Sequence, residues 1–393
     1  MGDRGGNQGG LLVRGRWWGL RWAIALCILL TLGSCALPQL RAEDRLFLDL
    51  QVDLLDMVTL PPQTVEETPV GGLSALAYDR QRQVFYALSD DRGNLAPPRV
   101  YTLDLSWRVE ADTVRLNPPQ VLGVTLLRDG AGNPYPANVL DPEGLALSPR
   151  DSWFITSEGV ADTDSPPQLN DYDLASGTLL TPLRLPDRFL PDAAADSPQG
   201  VRNNLGLEGL TLNPTTAMGE FEPFRLFTMT ESALAQDFSD DPATPLVSRF
   251  LHYLIGPNQS TLISEHVYPL ALEPLGAVVT GVSELLCLDQ GGHFLALERA
   301  FGLRGFDVKL WQLATGGATD TSTLARLNLD TLRPIQKQLV LDFNALGPPV
   351  DNLEALALGP PLPDGSQSLW VLSDDNFSEE QTTQLWLLRL RGA

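Results

Sequence analysis

Short apolar runs alternate with clusters of Pro, Gly, Asn, Asp and Ser along this chain, and five stretches repeat one plan. They read GGLSALAYDRQRQVFYALSDD (71–91), DPEGLALSPRDSWFITSEG (141–159), GLEGLTLNPTTAMGEFEPFRLFTMTES (206–232), VSELLCLDQGGHFLALERA (282–300) and DNLEALALGPPLPDGSQSLWVLSDDN (351–376). Each is an apolar run, a turn, a second apolar run and then an acid, the pattern of a β-hairpin. The anchor positions of the first runs, Ser74, Glu143, Glu208, Glu284 and Glu354, lie 69, 65, 76 and 70 residues apart. Propeller repeats commonly span about 40–50 residues, so insertions must fill the difference.

Behind each hairpin comes a third strand candidate, at 99–105, 168–174, 248–255, 308–314 and 383–390, and most are followed by a fourth, as at 179–186, 264–271 and 337–343. Helical periodicity is nowhere sustained after the first 35 residues. An all-β chain with four antiparallel strands per repeat describes a β-propeller of five blades, or of six if a degenerate blade lies in the insertions. A β-sandwich is the alternative, but sandwiches do not ordinarily repeat a hairpin five times with acids in register. The last repeat ends after its third strand, while RLFLDLQVDLL (45–55) has no partner near it in sequence. This mature N-terminal strand is expected to complete the last blade and close the ring, removing two exposed edges.

In an antiparallel hairpin, opposed residues have a constant sum of positions. Pairing Glu143 with Glu158 then pairs Ser74 with Asp90, Glu208 with Glu231, Glu284 with Glu298 and Glu354 with Asp374. Carboxylates opposed in this way, with Cβ atoms roughly 5 Å apart, destabilise a sheet unless something compensates. A hard cation such as Ca²⁺, a proton shared between neighbours, or backbone N–H donors from the next blade would each do so. The expected metal ligands are Glu143, Glu158, Glu208, Glu231, Glu284, Glu354 and Asp374, converging on one channel mouth. Asp90, Glu298 and Arg299 are the catalytic candidates there. Arg299, Arg92 and Arg202 are candidates for holding an anionic group, or for pairing with the acids.

Composition narrows the partners. With 27 basic and 49 acidic residues the net charge is −22, which repels nucleic acid and anionic lipid and attracts cations. All basic residues except Lys309 and Lys337 are Arg. Arg14, Arg16 and Arg21 precede an apolar run from Trp22 to Leu32, too short to span a bilayer and suited to a signal-peptide core. It ends in LTLGSCALP, where 32–35 resemble a lipoprotein box with Cys35 as the lipidated residue; ordinary cleavage after Cys35, or a retained anchor, are the other outcomes. Residues 1–35 are therefore read as a signal segment, 36–69 as linker and closing strand, and 70–393 as the propeller. Removing four basic residues and one acid leaves 23 against 48, a net −25 on the exported part. Cys287 then has no disulfide partner and reads as a small buried hydrophobe.

The ordered motifs GGLSALAYD with FYALSDDR, DPEGLAL, LGLEGLTL, SELLCLD with FLALERAFG, and NLEALAL with LWVLSDDNF resemble the phytase-like domain family, described as having esterase-like activity of phytase. The resemblance covers residues 70–390. It implies a secreted or envelope β-propeller and a calcium-assisted phosphoester or carboxylester hydrolase. In β-propeller phytases, Lys and Arg clusters hold phosphate beside several Ca²⁺ ions; this chain's two Lys lie outside the repeat motifs, which argues against phytate itself. A G-x-S-x-G elbow is absent, and His252, His266 and His293 have neither zinc spacing nor the setting of a nucleophile's base. Hydrolysis would then need a metal to activate water. Two functions stay open: a metal-dependent ester hydrolase, or a non-catalytic envelope propeller with structural calcium that binds a ligand or protein. The expected partner is a small ester or phosphoester, with no nucleic acid, membrane attachment only through lipid on Cys35, and a monomeric chain.

Overall fold

The inner strands decide the architecture, because they are buried on both faces and must be covered on both, whereas the outer strands alternate buried and exposed positions. In a computed structural model, which describes residues 1–2, 46–160, 165–192, 198–214, 222–241, 244–271 and 277–392, five four-stranded antiparallel sheets satisfy this demand. Blade 1 is Leu73–Asp79, Val84–Ser89, Arg99–Asp104 and Gln120–Leu126; blade 2 is Pro142–Leu147, Ser152–Ser157, Gln168–Asp173 and Leu179–Leu183. Blade 3 is Leu207–Leu212, Phe224–Thr230, Val247–Ile255 and Ser260–Pro269; blade 4 is Ala277–Cys287, His293–Gly302, Gly305–Ala314 and Gln336–Asp342. Blade 5 is Asn352–Leu358, Gln367–Asp374 and Gln384–Arg391, with Gln51–Thr59 as its outermost strand.

The closing strand pairs antiparallel with Gln384–Arg391, from Gln51 opposite Arg391 to Thr59 opposite Gln384. It lies a few residues C-terminal of the expected 45–55 and performs the expected closure. The first strands of neighbouring blades touch one another in cyclic order, which makes them the innermost ring. No sixth blade and no sandwich forms among the described residues from Phe47 onward, which make one compact unit. The expectations for residues 1–35, including lipidation of Cys35, lie outside the described residues.

The core is divided among the five blade interfaces. Tyr86 and Trp153 meet edge to face between blades 1 and 2, Phe154 and Phe224 between 2 and 3, and Phe227 and Phe294 between 3 and 4. Leu297 packs with Leu353 and Trp386 between blades 4 and 5, and Phe85 meets Trp370 at 5.1 Å between blades 1 and 5. Adjacent residues of one strand thus serve opposite interfaces, Trp153 facing blade 1 and Phe154 facing blade 3. Edge-to-face rings add about 0.5–1.5 kcal/mol each to their burial.

One detail of the hairpins repositions the acids. In every blade the pairing of the first two strands shifts by one residue near the start of the first strand: between Leu73 and Ala75, Pro142 and Leu145, Leu207 and Leu210, Val282 and Glu284, and Leu353 and Ala355. A β-bulge at this point re-aims side chains at the sheet edge. The expected oppositions are therefore off by two, one residue already at the turn and one more from the bulge. Glu298 faces Val282 rather than Glu284, and Asp374 faces Asn352 rather than Glu354.

Candidate metal centre at the propeller mouth

The bulge sorts the expected residues into new columns. Ser89, Ser157, Thr230, Glu298 and Ser373 are equivalent, each facing the residue just before its bulge region. One step further along the second strand stand Asp90, Glu158, Glu231, Arg299 and Asp374. Four acids and one cation therefore occupy equivalent places, and Arg299 is the blade 4 member that Glu298 was expected to be. Opposite this column lie Gly72, Asp141, Gly206, Gly281 and Asn352, through backbone hydrogen bonds such as Asp90 N to Gly72 O (2.6 Å) and Glu158 N to Asp141 O (3.1 Å) or through direct strand pairing. The bulge positions form a second set, in which Ser74, Glu143, Glu208 and Glu354 are joined by Ser283, not by Glu284.

Glu284 and Glu298 are accordingly corrections to the expected mouth. The Glu284 Oε1 accepts Leu210 N of blade 3 (3.1 Å) and Leu285 N (2.8 Å), a clasp between two blades. Glu298 accepts the Tyr268 hydroxyl, the Lys337 ammonium and Ala271 N, turned away from the mouth. Similar clasps tie the other interfaces: the Ser74 hydroxyl donates to Glu143 O (3.0 Å), Thr156 to Glu208 O (3.2 Å) and Ser283 to Leu353 O (3.2 Å), and Asp375 Oδ1 accepts Gly72 N (2.9 Å).

What remains at the mouth is a buried carboxylate cluster. Asp90, Asp141 and Glu143 bring one oxygen each within 4.8 Å of one another, and so do Glu143, Glu158 and Glu208. Asp141 was not anticipated, although it opens the DPEGLAL motif; only the bulge places it across from Glu158. Its carboxylate is held by Arg92, with Nε to Oδ1 at 2.7 Å and Nη2 to Oδ2 at 2.6 Å. Glu158 accepts Gly206 N at 2.6 Å. Glu143 and Glu208 are each only 7 % exposed, and neither carboxylate accepts a hydrogen bond among the described residues. With little exposure and no protein donor, these two carboxylates depend on the solvent or an ion at the mouth for compensation.

Across the mouth, Arg299 Nη2 lies 3.0 Å from Glu231 Oε1, its Nη1 2.5 Å from Asn352 Oδ1, and it also pairs with Glu354. The Asn352 amide donates to Glu354 Oε1 at 3.0 Å. Arg202 is not part of the cluster by contact: it donates to Ala233 O and the Ser232 hydroxyl and stacks on Phe238 at 4.1 Å. Arg299 and Arg92 are thus salt-bridge partners of the acids.

Burial first, and neighbouring acids second, push the carboxyls of Asp90, Glu143, Glu158, Glu208 and Asp374 well above the ordinary range. Burial also raises Glu231 and Glu354, where Arg299 pulls in the opposite direction. Two unit charges 4.8 Å apart at an effective dielectric near 20 repel by about 3–4 kcal/mol, so the metal-like triads cannot all ionise unaided. Protons or a multivalent cation must neutralise them.

The remaining reactive side chains are explained locally. Burial pushes the Cys287 thiol up to about 12 and, with Arg225, lowers His252 to about 4. His293 Nδ1 sits 2.7 Å from Asp289 Oδ2 in a surface turn.

No curated protein matches the sequence. Among solved structures, the chain is similar to an endo-arabinase from Bacteroides thetaiotaomicron at 9 % identity and a TM-score of 0.43, covering 83 % of this chain and 96 % of that one. It is similar to the catalytic domain of a Coprinopsis cinerea GH62 α-L-arabinofuranosidase at 10 % identity and 0.38, covering 88 % and 98 %. The Neurospora crassa Pan2 WD40 domain matches at 9 % and 0.28, covering 86 % and 95 %. None of the three informs the chemistry of this mouth. The family described as phytase-like, esterase-like activity of phytase, matches residues 68–377, and the chain belongs to that family.

Proposed function

We propose that the protein is an exported, calcium-assisted ester hydrolase working at the acidic mouth. The observation that carries this reading is the donor set: buried Asp141, Glu143, Glu158 and Glu208 cluster with half-buried Asp90, and Glu143 and Glu208 accept no hydrogen bond among the described residues. An all-oxygen set of carboxylates suits a hard cation, and Ca²⁺ takes six to eight such ligands with flexible geometry. These five residues would hold the ion, with Glu143 common to both triads. When bound, the ion would polarise the ester and favour ionisation of an attacking water.

The chain's own groups divide the remaining work. Arg299, locked between Glu231, Glu354 and Asn352, presents a fixed positive charge to the oxygens of an ester beside the acids. Asp374 and Glu354 are within hydrogen-bonding reach of each other. With Asp374 held well above the usual carboxylate range, this pair can keep a proton near neutral pH and return it to a leaving group. Of the expected catalytic residues, Asp90 falls within the set that would hold the ion, and Glu298 lies outside the mouth. The clasp from Glu158 to Gly206 N favours a second reading, in which the ion is purely structural and the propeller binds a ligand without turnover.

Purified protein assayed against phosphomonoesters, phosphodiesters and short acyl esters, with Ca²⁺ and with EDTA, separates the two. Calcium-dependent turnover that Asp374→Asn reduces by about 10²-fold or more supports catalysis; binding without turnover of any ester supports the structural role. Export and lipidation of Cys35 belong to the same proposal, supported by the apolar segment and LTLGSCALP. A native N-terminus at Cys35 carrying lipid, read by mass spectrometry, is the expected result, and an uncleaved Met1 overturns it.

A further inference from the structure

Blade 4 differs from the other blades at the mouth. The second strands of blades 1, 2 and 3 end at Ser89, Ser157 and Thr230, whereas the blade 4 strand passes its equivalent residue, Glu298, and continues to Gly302. It turns through Leu303 and Arg304 and returns in Gly305–Ala314, so three strands overshoot the rim together. Val279 pairs with Phe301, and Phe301 with Phe306. Opposed residues share a face, so these three side chains form one apolar row. The two phenyl rings are 4.9 Å apart.

All three line a cleft of about 910 Å³, bounded on its inner side by Arg299, Glu231 and Asn352 and elsewhere by Val350 and surface amides. Phe301 is 47 % exposed and Val279 42 %, so the row is open to solvent where the other blades have already stopped. Clefts of this volume, with an apolar wall and a few converging polar groups, are typical of small-ligand sites. Arg299 precedes Phe301 by two residues and shares its face, one strand repeat of about 7 Å further in. A ligand whose ester oxygens meet Arg299 therefore lays its neighbouring group across Phe301.

We propose that this cleft selects esters carrying one apolar group, aryl or short acyl, which packs on the row Val279–Phe301–Phe306 while the ester head meets Arg299. Charge sets the rest of the class. Arg299 is already flanked by Glu231 and Glu354, and the cleft adds only Arg304 as a further cation, so a multiply charged polyphosphate would meet more acids than cations. A head with at most one or two charges and an apolar body fits. The inference rests on the hydrolase reading for its reaction and on blade 4 for its ligand.

The test uses non-hydrolysable probes: phenylphosphonate and methylphosphonate, titrated calorimetrically into the full mature protein with Ca²⁺ present. The expected result is a preference of about tenfold or more for the phenyl compound, the scale of burying part of one ring. Phe301→Ala should bring the ratio toward one, and Leu303→Ala at the hairpin tip, outside the cleft lining, should preserve it. Equal affinities, no measurable binding of phenylphosphonate, or a ratio unchanged by Phe301→Ala overturns the inference. Failure of the hydrolase reading is distinct, since it shows as an intact phenyl preference with no turnover of phenyl acetate or phenyl phosphate.

Discussion

Arg299→Leu removes the cation of the inner column and tests the charge logic of the mouth. The Arg299 side chain is 17 % exposed, and its partners Glu231 and Glu354 are 3 % and 9 % exposed. Truncating one member of a buried ion pair costs about 3–5 kcal/mol, because the other charge is left desolvated and alone. Two stranded partners put the loss in the upper part of that range. At roughly 2 °C per kcal/mol for a chain of this size, Tm should fall by about 8–10 °C at pH 8. The pH dependence has a definite sign. Burial raises both glutamates and Arg299 lowers them, so without it both rise further. The folded variant then holds more protons than its unfolded chain at every pH above the unfolded value of about 4.3, and its stability is lost as pH rises from there toward the raised folded values. Thermal melts of wild type and variant in EDTA at pH 5, 6.5 and 8 should therefore show a penalty that is largest at pH 8 and shrinks toward pH 5. A penalty of about 1 kcal/mol or less at pH 8, as for a surface pair, or one equal at pH 5 and pH 8, would refute the reasoning.

Glu284→Ala removes a clasp and not a metal ligand, so it should cost about 1–3 kcal/mol equally in Ca²⁺ and in EDTA; loss of the calcium response in that variant would place Glu284 in the metal set after all. Deleting residues 1–59 strips the outer strand from blade 5 and bares the edge of Gln384–Arg391, with its row of unpaired backbone groups. That variant should aggregate or lose its cooperative melt, and a soluble protein melting normally would show the closure to be dispensable. Gly281→Ala sets a Cβ against the Glu231 side chain, which must shift away from Arg299. A Tm decrease is expected, and an unchanged Tm would mean that the Arg299 pairing tolerates displacement.

The repeats were legible because each blade reuses one hairpin, and strands such as Arg99–Asp104 or Gln336–Asp342 fall within a residue or two of where alternation and turn residues put them. Closure was legible because the last repeat lacked a strand and the N-terminal segment had one to spare. The register at the mouth was not. The pairing is one residue away from the expected register already at the turn, and a single bulged residue adds a second, with nothing in the local composition to mark it: LEGL and NLEA carry a glutamate at the bulge, LSAL a serine. In VSELL both stand side by side, and the eye aligns Glu284 with the other glutamates when the structure aligns Ser283. The same slip hid Asp141, which stands where blades 1, 3 and 4 have glycine, and turned Arg299 from a neighbour of the acidic column into a member of it.

The most direct measurement is a calcium-dependent melt of wild type beside a Glu143→Gln, Glu208→Gln double variant, which removes the two donorless carboxylates and keeps their shape. At a hundredfold excess over its dissociation constant, Ca²⁺ should stabilise the wild type over the EDTA state by about 2.7 kcal/mol. The double variant should lose this response and should melt above the wild type in EDTA, because two mostly buried acids that repel their neighbours have been neutralised. A wild type that melts at one temperature with and without calcium, beside a variant no more stable in EDTA, would contradict a metal centre at this mouth.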